Sequence, residues 1–301
     1  MAKKAFIFPG QGSQEVGMAR KLYEQSKEVQ SLFKRAEDIT NRPIRKTTFE
    51  GPKNLLDRTS NTQVAILVVS LGILAVYLKK HHEKPDFVAG HSAGEVAAAV
   101  AAGSMTEDAA IELIHERGLA MEQAGEEYPG SMAAILGMED ERVERLAREH
   151  GVYVANYNVT DSQLVLSGEH GAVSEAAAKA SSEGARGIPL DVTIPAHTIL
   201  MQGALSKVRE KIGSVQMLEP IIPIVANRTG QAITKANELV EGLPEQLVHP
   251  VKWAQSVDFM HQQGVREFIE FGPKNVLSGM VKRQLRGREG SVSRAEDEIL
   301  E

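Results

Sequence analysis

The sequence predicts an α/β protein in which a large subdomain with a parallel sheet carries a smaller, inserted subdomain. Short apolar runs end in glycine-rich loops, as the central strands of parallel sheets do. A Gly-x-Ser-x-Gly sequence joins one of these runs to a helix of small residues. Residues 126–193 follow a different order of strands and helices, and a chain of 301 residues is long enough for both units.

The composition excludes several classes of protein. Because the chain has no cysteine, it has no thiol nucleophile, disulfide or thiolate metal site, and this suits a reducing cytoplasm. The formal charge of -6 argues against a nucleic-acid partner, which requires a basic surface. The longest apolar run, Val64 to Leu78, is too short to span a bilayer, and the N-terminus lacks the pattern of a signal peptide. We therefore expect a cytoplasmic protein with neither a membrane nor a nucleic-acid partner.

The first strand is predicted at Ala5 to Phe8, a continuous apolar run. It ends in the loop Pro9 to Gln14, at the strand end where open α/β sheets bind ligands. The loop has neither the Gly-x-Gly-x-x-Gly nor the Walker spacing, so it does not indicate a phosphate site, and a plain glycine-rich turn is the alternative. Amphipathic helices follow, and Val64 to Leu78 is predicted as a buried helix.

The Gly-x-Ser-x-Gly sequence predicts a nucleophile elbow centred on Ser92. The strand before it is Phe87 to Ala89, and a helix of small residues runs from Glu95 to Ala102. Gly90 and Gly94 let strand and helix approach closely, which a Cβ would prevent. Such a turn lifts the serine hydroxyl above the sheet, so Ser92 is a candidate nucleophile. A serine that only caps the following helix is the alternative.

The next helix begins at the capping sequence Thr106 to Asp108 and carries Arg117 on a mostly apolar face, between Ile114 and Met121. Arginine in this setting either extends to the surface or turns its charge towards an anionic ligand. The spacing by itself favours the surface.

Residues 126–193 are predicted to form a small βαββαβ subdomain, which is the ferredoxin-like order. The predicted elements are strand Met132 to Leu136, helix Asp140 to His150, strands Tyr153 to Asn156 and Gln163 to Leu166, helix Ala172 to Glu183, and strand Ile188 to Val192. Because the flanking segments belong to the larger unit, the small one is an insertion. A cleft between the two is a natural place for a substrate.

The remaining residues complete the large subdomain. Strands are predicted at Pro223 to Asn227 and Phe268 to Pro273, and a closing helix runs from Asn275 to Arg283. We therefore divide the chain into residues 1–125 with 194–285, an insert at 126–193, and a frayed polar tail at 286–301.

A serine nucleophile needs a neighbouring base, usually histidine. Of the nine histidines, His197 follows a proline in an otherwise apolar stretch, where the chain returns from the insert. His91 is next to Ser92, but neighbouring side chains in an elbow diverge, so we expect it to pack or hydrogen-bond beneath the turn. The others lie in polar helix or loop contexts. His197 is therefore the predicted base.

Together these residues resemble the malonyl-CoA:acyl carrier protein transacylase family. The resemblance runs in order from about residue 3 to 285 and includes Phe8 to Gln14, Gly90 to Glu95, Arg117-Gly118, Pro195 to His197 and Glu270 to Pro273. It implies an α/β-hydrolase-like large subdomain with a ferredoxin-like insert.

The resemblance also implies roles for individual residues. By position, Ser92 would be the nucleophile and His197 the base. The backbone N–H groups of Gln11 and Ala93 would form the oxyanion hole, and Arg117 would hold the malonyl carboxylate. Malonyl-CoA would acylate the serine, and the pantetheine thiol of an acyl carrier protein would then take the acyl group in a ping-pong mechanism.

The family orients its histidine through a main-chain carbonyl, which by position would be that of Gln246. No metal or redox cofactor is implied, the partner would be an acyl carrier protein in fatty-acid synthesis, and we expect a monomer.

The sequence departs from the family at two places. Family members often carry Asn-x-Asn-x-Pro-Gly-Gln, whereas Asn156 to Gln163 lacks the Pro-Gly and is one residue longer. Ala196 stands before the histidine, where related enzymes have serine or phenylalanine. The choice between malonyl and branched malonyl groups is therefore open. The alternatives are an acyltransferase of a polyketide pathway, a serine acyl hydrolase and an inactive module that docks a carrier protein.

Overall fold

The computed structural model describes residues 2–300, which form two sheets covered by helices. The strands are β1 (Lys3–Phe8), β2 (Phe87–Gly90), β3 (Ser131–Leu136), β4 (Tyr153–Val159), β5 (Gln163–Gly168), β6 (Arg186–Pro189), β7 (Ile224–Val225), β8 (Ala232–Ile233), β9 (Val265–Glu270) and β10 (Ser291–Arg294).

Five helices lie between β1 and β2, the others are distributed along the rest of the chain, and a 3₁₀ turn at Ile199–Met201 precedes the tenth helix. They are α1 (Arg20–Gln25), α2 (Lys27–Thr40), α3 (Ile44–Glu50), α4 (Lys53–Leu56), α5 (Thr59–His81), α6 (Gly94–Ala101), α7 (Glu107–Glu127), α8 (Asp140–His150), α9 (His170–Ser182), α10 (Gln202–Gly213), α11 (Ala236–Glu245), α12 (Trp253–Gln262), α13 (Val276–Gln284) and α14 (Ala295–Leu300).

The larger sheet has six strands in the order β10-β9-β1-β2-β7-β8, and all neighbours are parallel except β7 and β8. The prediction of a parallel sheet is confirmed. The predicted strands at Ala5, Phe87 and Phe268 are its three central members, β1, β2 and β9. Helices cover both faces, which is why these strands are continuous apolar runs. Because β1 and β2 are parallel neighbours, the Pro9 loop and the Ser92 turn leave the sheet at the same edge.

Helix α5 is the core of the large subdomain. By length and composition alone it could cross a bilayer, but 78% of its most apolar window is buried inside the fold. It packs against α2, α7 and α14 and contains the predicted helix Val64 to Leu78. Its first turns place Thr59 and Gln63 beside the carboxyl end of the large sheet, next to Gln11 and Arg117.

The smaller sheet confirms the βαββαβ prediction. Its order is β4-β5-β3-β6, every pair is antiparallel, and α8 and α9 pack on one face. The last strand ends at Pro189 rather than Val192, because the chain turns there, with the N–H of Val192 donating to the carbonyl of Leu190. The opposite face of the sheet, which includes Met132 and Val165, looks into the cleft between the subdomains.

The prediction of a frayed tail is wrong. Ser291–Arg294 pairs in parallel with β9 as an edge strand, and α14 packs against α5. Arg294 then forms ion pairs with Glu296 and Asp297 at 2.7 and 3.2 Å. Val292 is the single apolar residue of this four-residue strand, so the sequence shows no apolar run and the pairing with β9 was missed. Glu301 lies outside the described residues.

The longer turn between β4 and β5 connects the two subdomains. The N–H of Thr160 donates to Oε1 of Gln284 at 2.9 Å, and Nε2 of Gln284 donates to the Thr160 hydroxyl at 3.1 Å. Arg283 donates to Oε1 of Gln163 at 2.6 Å. The departure from the family pattern therefore places the tip of the turn against α13, while Asn156 and Asn158 remain buried on β4.

Candidate active site

A strained turn raises Ser92 above the end of β2. Ser92 has a φ of 52°, in the left-handed region, and α6 begins at Gly94. A Cβ on Gly90 would lie 2.0 Å from the Gly94 carbonyl carbon, and a Cβ on Gly94 would lie 2.1 Å from the carbonyl oxygen of Phe8. Only glycine fits at either position, because both contacts are with rigid backbone. A left-handed serine is typical of a functional turn.

Asn227 stabilises this turn, although sequence reasoning did not single it out. Its Oδ1 accepts a 2.7 Å hydrogen bond from the N–H of Ser92, and its Nδ2 donates to the carbonyl of Gly90. The side chain is 1% exposed and follows β7, the neighbour of β2. A polar residue at the carboxyl end of the predicted strand Pro223 to Asn227 was the available signal.

His197 and Ser92 are in hydrogen-bond contact across 105 residues of sequence. Nε2 of His197 lies 2.9 Å from the Ser92 hydroxyl, and Nδ1 lies 2.6 Å from the backbone carbonyl of Gln246. Because a carbonyl only accepts, Nδ1 carries the proton and Nε2 is free to accept one from Ser92. Burial, together with the nearby Arg117 charge, lowers the pKa of His197 to about 3, so the ring is neutral at physiological pH.

Two backbone N–H groups without partners in the described part of the chain lie in the two loops that meet at Ser92, since a Cβ on Gly10 would lie 3.6 Å from the nitrogen of Ala93. Within residues 2–300, the N–H groups of Gln11 and Ala93 donate to no other group. Gly10 brings the first loop against the turn, since a Cβ there would lie 2.4 Å from the His91 carbonyl oxygen. Free N–H donors beside a nucleophile can stabilise an oxyanion, the role that the resemblance assigns to these two residues.

Arg117 does not extend to the surface, so the interpretation that its spacing favoured is wrong. Its side chain is 2% exposed because α7 packs against α5. Nη1 donates to Oε1 of Gln63 at 2.6 Å, and Nη2 donates to Oε1 of Gln246 at 2.9 Å and to the Ser92 hydroxyl at 3.1 Å.

The guanidinium of Arg117 has no carboxylate of residues 2–300 within 4.0 Å. Burial lowers its pKa to about 10, so it remains a cation at neutral pH. A buried, charged guanidinium that meets only neutral acceptors is suited to an anionic ligand. The helix spacing could not reveal this, because the side chains that bind Arg117 come from α5 and from Gln246, the residue after α11.

The small subdomain supplies the opposite wall of the site. Nε2 of His91 lies 2.9 Å from Oδ1 of Asn158 and 3.3 Å from Nδ2 of Asn156. The ring also packs edge-on against Trp253, with centroids 5.8 Å apart. His91 therefore packs and hydrogen-bonds within the fold, as the sequence led us to expect. His91 thereby joins the Ser92 turn to β4.

A cavity of about 80 Å³ lies over the serine. Its lining includes Gln11, Ser92, Met132 and His197. It shares residues with a cleft of about 460 Å³ between the subdomains, which offers a route to Ser92. Within residues 2–300 no group of three or more His, Asp or Glu side chains is arranged to hold a metal ion.

Comparison with known proteins gives consistent results. The model of the acyl transferase domain matches residues 5–296. The malonyl CoA-acyl carrier protein transacylase of Bacillus subtilis is 38% identical over 289 residues, which cover 94% of this chain and 90% of the relative. The solved malonyl CoA-acyl carrier protein transacylase of Coxiella burnetii matches with a TM-score of 0.94 and 34% identity, covering 99% of this chain and 96% of that one. A malonyl-transacylase in complex with a type II polyketide synthase acyl-carrier protein matches with a TM-score of 0.91 and 34% identity. The match covers 97% of this chain and 95% of that one.

Proposed function

The chain belongs to the acyl transferase domain family, among the malonyl CoA-acyl carrier protein transacylases, and we propose that it moves a malonyl group from malonyl-CoA to an acyl carrier protein. The observation that carries this proposal is the arrangement at Ser92. A serine with a neutral histidine base lies 3.1 Å from a buried guanidinium that has no carboxylate partner.

In the acylation step, Ser92 Oγ attacks the thioester carbonyl while its proton passes to Nε2 of His197. Negative charge develops on the carbonyl oxygen, where the N–H groups of Gln11 and Ala93 stabilise it. Removing one such donor typically costs about 2.7 to 4 kcal/mol of transition-state stabilisation. The intermediate collapses, the carbon–sulfur bond breaks, and the departing coenzyme A thiolate takes the proton from His197 and leaves as the thiol. A malonyl-serine ester remains.

Arg117 selects the acyl group. In the ester, the malonyl carboxylate lies three bonds beyond Oγ, and the guanidinium that contacts Oγ in the free enzyme can pair with that carboxylate. An acetyl group has no charge to offer, and burying it beside an unpaired guanidinium is unfavourable.

The second half reaction repeats the chemistry in reverse order. The pantetheine thiol of the carrier protein gives its proton to His197 and attacks the ester, and Ser92 recovers its proton. The protein's own groups supply every proton transfer and charge contact in these steps, so we propose that no cofactor takes part. Cytoplasmic location, a monomeric state and the absence of membrane and nucleic-acid partners remain predictions.

Two other functions share parts of this site. A serine acyl hydrolase would use the same Ser92 and His197, but it has no need of a buried cation for a charged acyl group. A polyketide pathway would use the same chemistry, and one similar structure contains a polyketide carrier protein. The carrier proteins of the two pathways therefore need to be compared directly.

Intact-mass measurement after mixing with malonyl-CoA tests the proposal. We expect one added malonyl group, located at Ser92 by peptide mapping, which disappears when a phosphopantetheinylated carrier protein is added and appears on that protein. Ser92→Ala is the control. A malonyl-enzyme that is lost to water as quickly as to the carrier protein would contradict a transferase.

A further inference from the structure

Glu95 is a buried carboxylate that the proposed chemistry does not use. It lies in the first turn of α6 and is 3% exposed. No Lys, Arg or His nitrogen of residues 2–300 lies within 4.0 Å of it. Instead, Oε1 accepts a 3.1 Å hydrogen bond from the N–H of Asn227, and Oε2 accepts one from Nε2 of Gln246. A carboxylate buried among neutral donors is costly, which points to a role for these two contacts.

Gln246 uses its polar atoms in three directions. Its backbone carbonyl accepts from His197, its Oε1 accepts from Arg117 at 2.9 Å, and its Nε2 donates to Glu95. A guanidinium only donates and an ionised carboxylate only accepts. The amide can therefore satisfy both neighbours in one orientation only. Rotating the Gln246 amide by a half circle would place its NH₂ group, which is a donor, opposite the donors of Arg117.

Charged groups face Glu95 from three elements. Arg117 lies on α7, Arg228 follows β7, and Glu238 and Glu241 on α11 line a cavity of about 170 Å³ together with Glu95 and Arg228. Burial raises the pKa of Glu95 to about 7, although Arg117 and Arg228 both act to lower it. The hydrogen bonds from Asn227 and Gln246 and the charges of the two arginines favour the ionised form.

We propose that Glu95 is a positioning residue for acyl-group selection, an inference that rests on the proposed function. By binding Nε2 of Gln246, it presents Oε1 to Arg117 and keeps the guanidinium beside Ser92 Oγ. The guanidinium of Arg117 and the carboxylate of Glu95 carry opposite charges, and the amide of Gln246 joins them. The cation is thereby held without a direct carboxylate partner, which leaves its remaining donors for the malonyl group.

Simple electrostatics predicts the opposite effect of Glu95. A negative charge near Arg117 repels the malonyl carboxylate, so removing that charge would improve malonyl transfer. Positioning predicts a loss of malonyl transfer. Once the amide of Gln246 has rotated, its oxygen no longer accepts the charge-assisted hydrogen bond from Arg117. Such a bond corresponds to roughly a 10-fold effect or more. The sign of the change distinguishes the two.

The experiment measures kcat/KM for malonyl-CoA and acetyl-CoA in the wild type, Glu95→Gln and Glu270→Gln. Glu95→Gln keeps the side-chain size but removes the charge and adds a donor. Glu270 is the matched control, since it is 0% exposed and its carboxylate accepts from the N–H groups of Leu277 and Ser278 at 3.0 and 2.7 Å. Gln246→Met is a second variant, which removes the amide but keeps the carbonyl that orients His197.

Glu95→Gln should lower the malonyl preference over acetyl by on the order of 10-fold, with acetyl transfer changing less than about 3-fold. Gln246→Met should lower it in the same way, and Glu270→Gln should leave it unchanged. An unchanged or increased preference in both Glu95→Gln and Gln246→Met, or an equal fall in Glu270→Gln, overturns the inference alone. A wild type that transfers both acyl groups equally overturns the proposed function, and this inference with it.

Discussion

The two subdomains contribute to the site in different ways. The large one carries Ser92 and His197, to which we assign the proposed chemistry, and both residues lie in strained turns with positive φ values of 52° and 61°. The small one supplies a wall, through Asn158 and its neighbours on the antiparallel sheet. Parallel strands bring several loops to one edge, where close glycine contacts hold atoms in place. An antiparallel sheet shapes the cleft but places no reacting atom there.

The largest effect should come from Ser92→Ala, because the acyl group then has no oxygen to bond to. We expect no malonyl adduct by intact mass, while the protein keeps its fold. Ser167→Ala is the matched control on the small sheet, since its buried hydroxyl has no partner among residues 2–300 and losing it should cost little. If Ser167→Ala also abolished the adduct, the division of labour between the subdomains would be wrong.

The next largest effect should come from His197→Ala, which removes the proton acceptor. The rate of Ser92 acylation, followed by rapid quench and mass spectrometry, should fall by roughly 10²- to 10⁴-fold. His91→Ala breaks the contact with β4 instead and should act mainly on KM. A larger loss of kcat in His91→Ala than in His197→Ala would reassign the base.

Arg117→Ala should reduce malonyl transfer selectively. A charge-assisted hydrogen bond contributes about 1.5 to 3 kcal/mol, so kcat/KM for malonyl-CoA should fall on the order of 10- to 100-fold. Acetyl transfer should be unchanged or improved, because no unpaired charge then faces the methyl group. Equal losses for both thioesters would show that Arg117 stabilises the fold or binds another part of the donor.

A small effect is expected where the subdomains touch. Gln284→Ala removes the hydrogen bonds to the turn at Thr160. The free energy of unfolding should fall by about 1 to 2 kcal/mol in chemical denaturation, with little change in Ser92 acylation. A loss of acylation as large as that in Arg117→Ala would mean that this clamp sets the geometry of the site as well.

The smallest effect is expected when the pH is changed, because the protonation state of His197 should not respond. Because burial lowers its pKa to about 3, the folded ring stays neutral where a free histidine titrates, near pH 6.5. Nitrogen NMR of the imidazole should show no titration between about pH 8 and 5. The unfolded chain binds the extra proton, so this group lowers the stability as the pH falls from about 6.5 towards 3. A His197 signal that titrates near neutrality would show that the ring is solvated.

Local features of the sequence were sufficient to predict the turn and most of the framework. The apolar runs, the βαββαβ order and Gly90-x-Ser92-x-Gly94 depend on neighbouring residues, so their spacing carries the information. The edge strand β10 was missed because backbone hydrogen bonds hold it without an apolar pattern. The carbonyl of Gln246 was expected from the resemblance alone, since any residue could supply one.

Only the tertiary structure decided the environment of Arg117. Its helix spacing is compatible with the surface or with the interior, and Gln63 on α5 and Gln246 after α11 are distant in sequence. The same holds for Asn227 and Glu95, whose partners come from other elements. A hydrogen bond between distant segments leaves no period in the sequence. The local Gly-x-Ser-x-Gly spacing therefore sufficed to predict Ser92 as the nucleophile, whereas only packing determined which charged groups surround it.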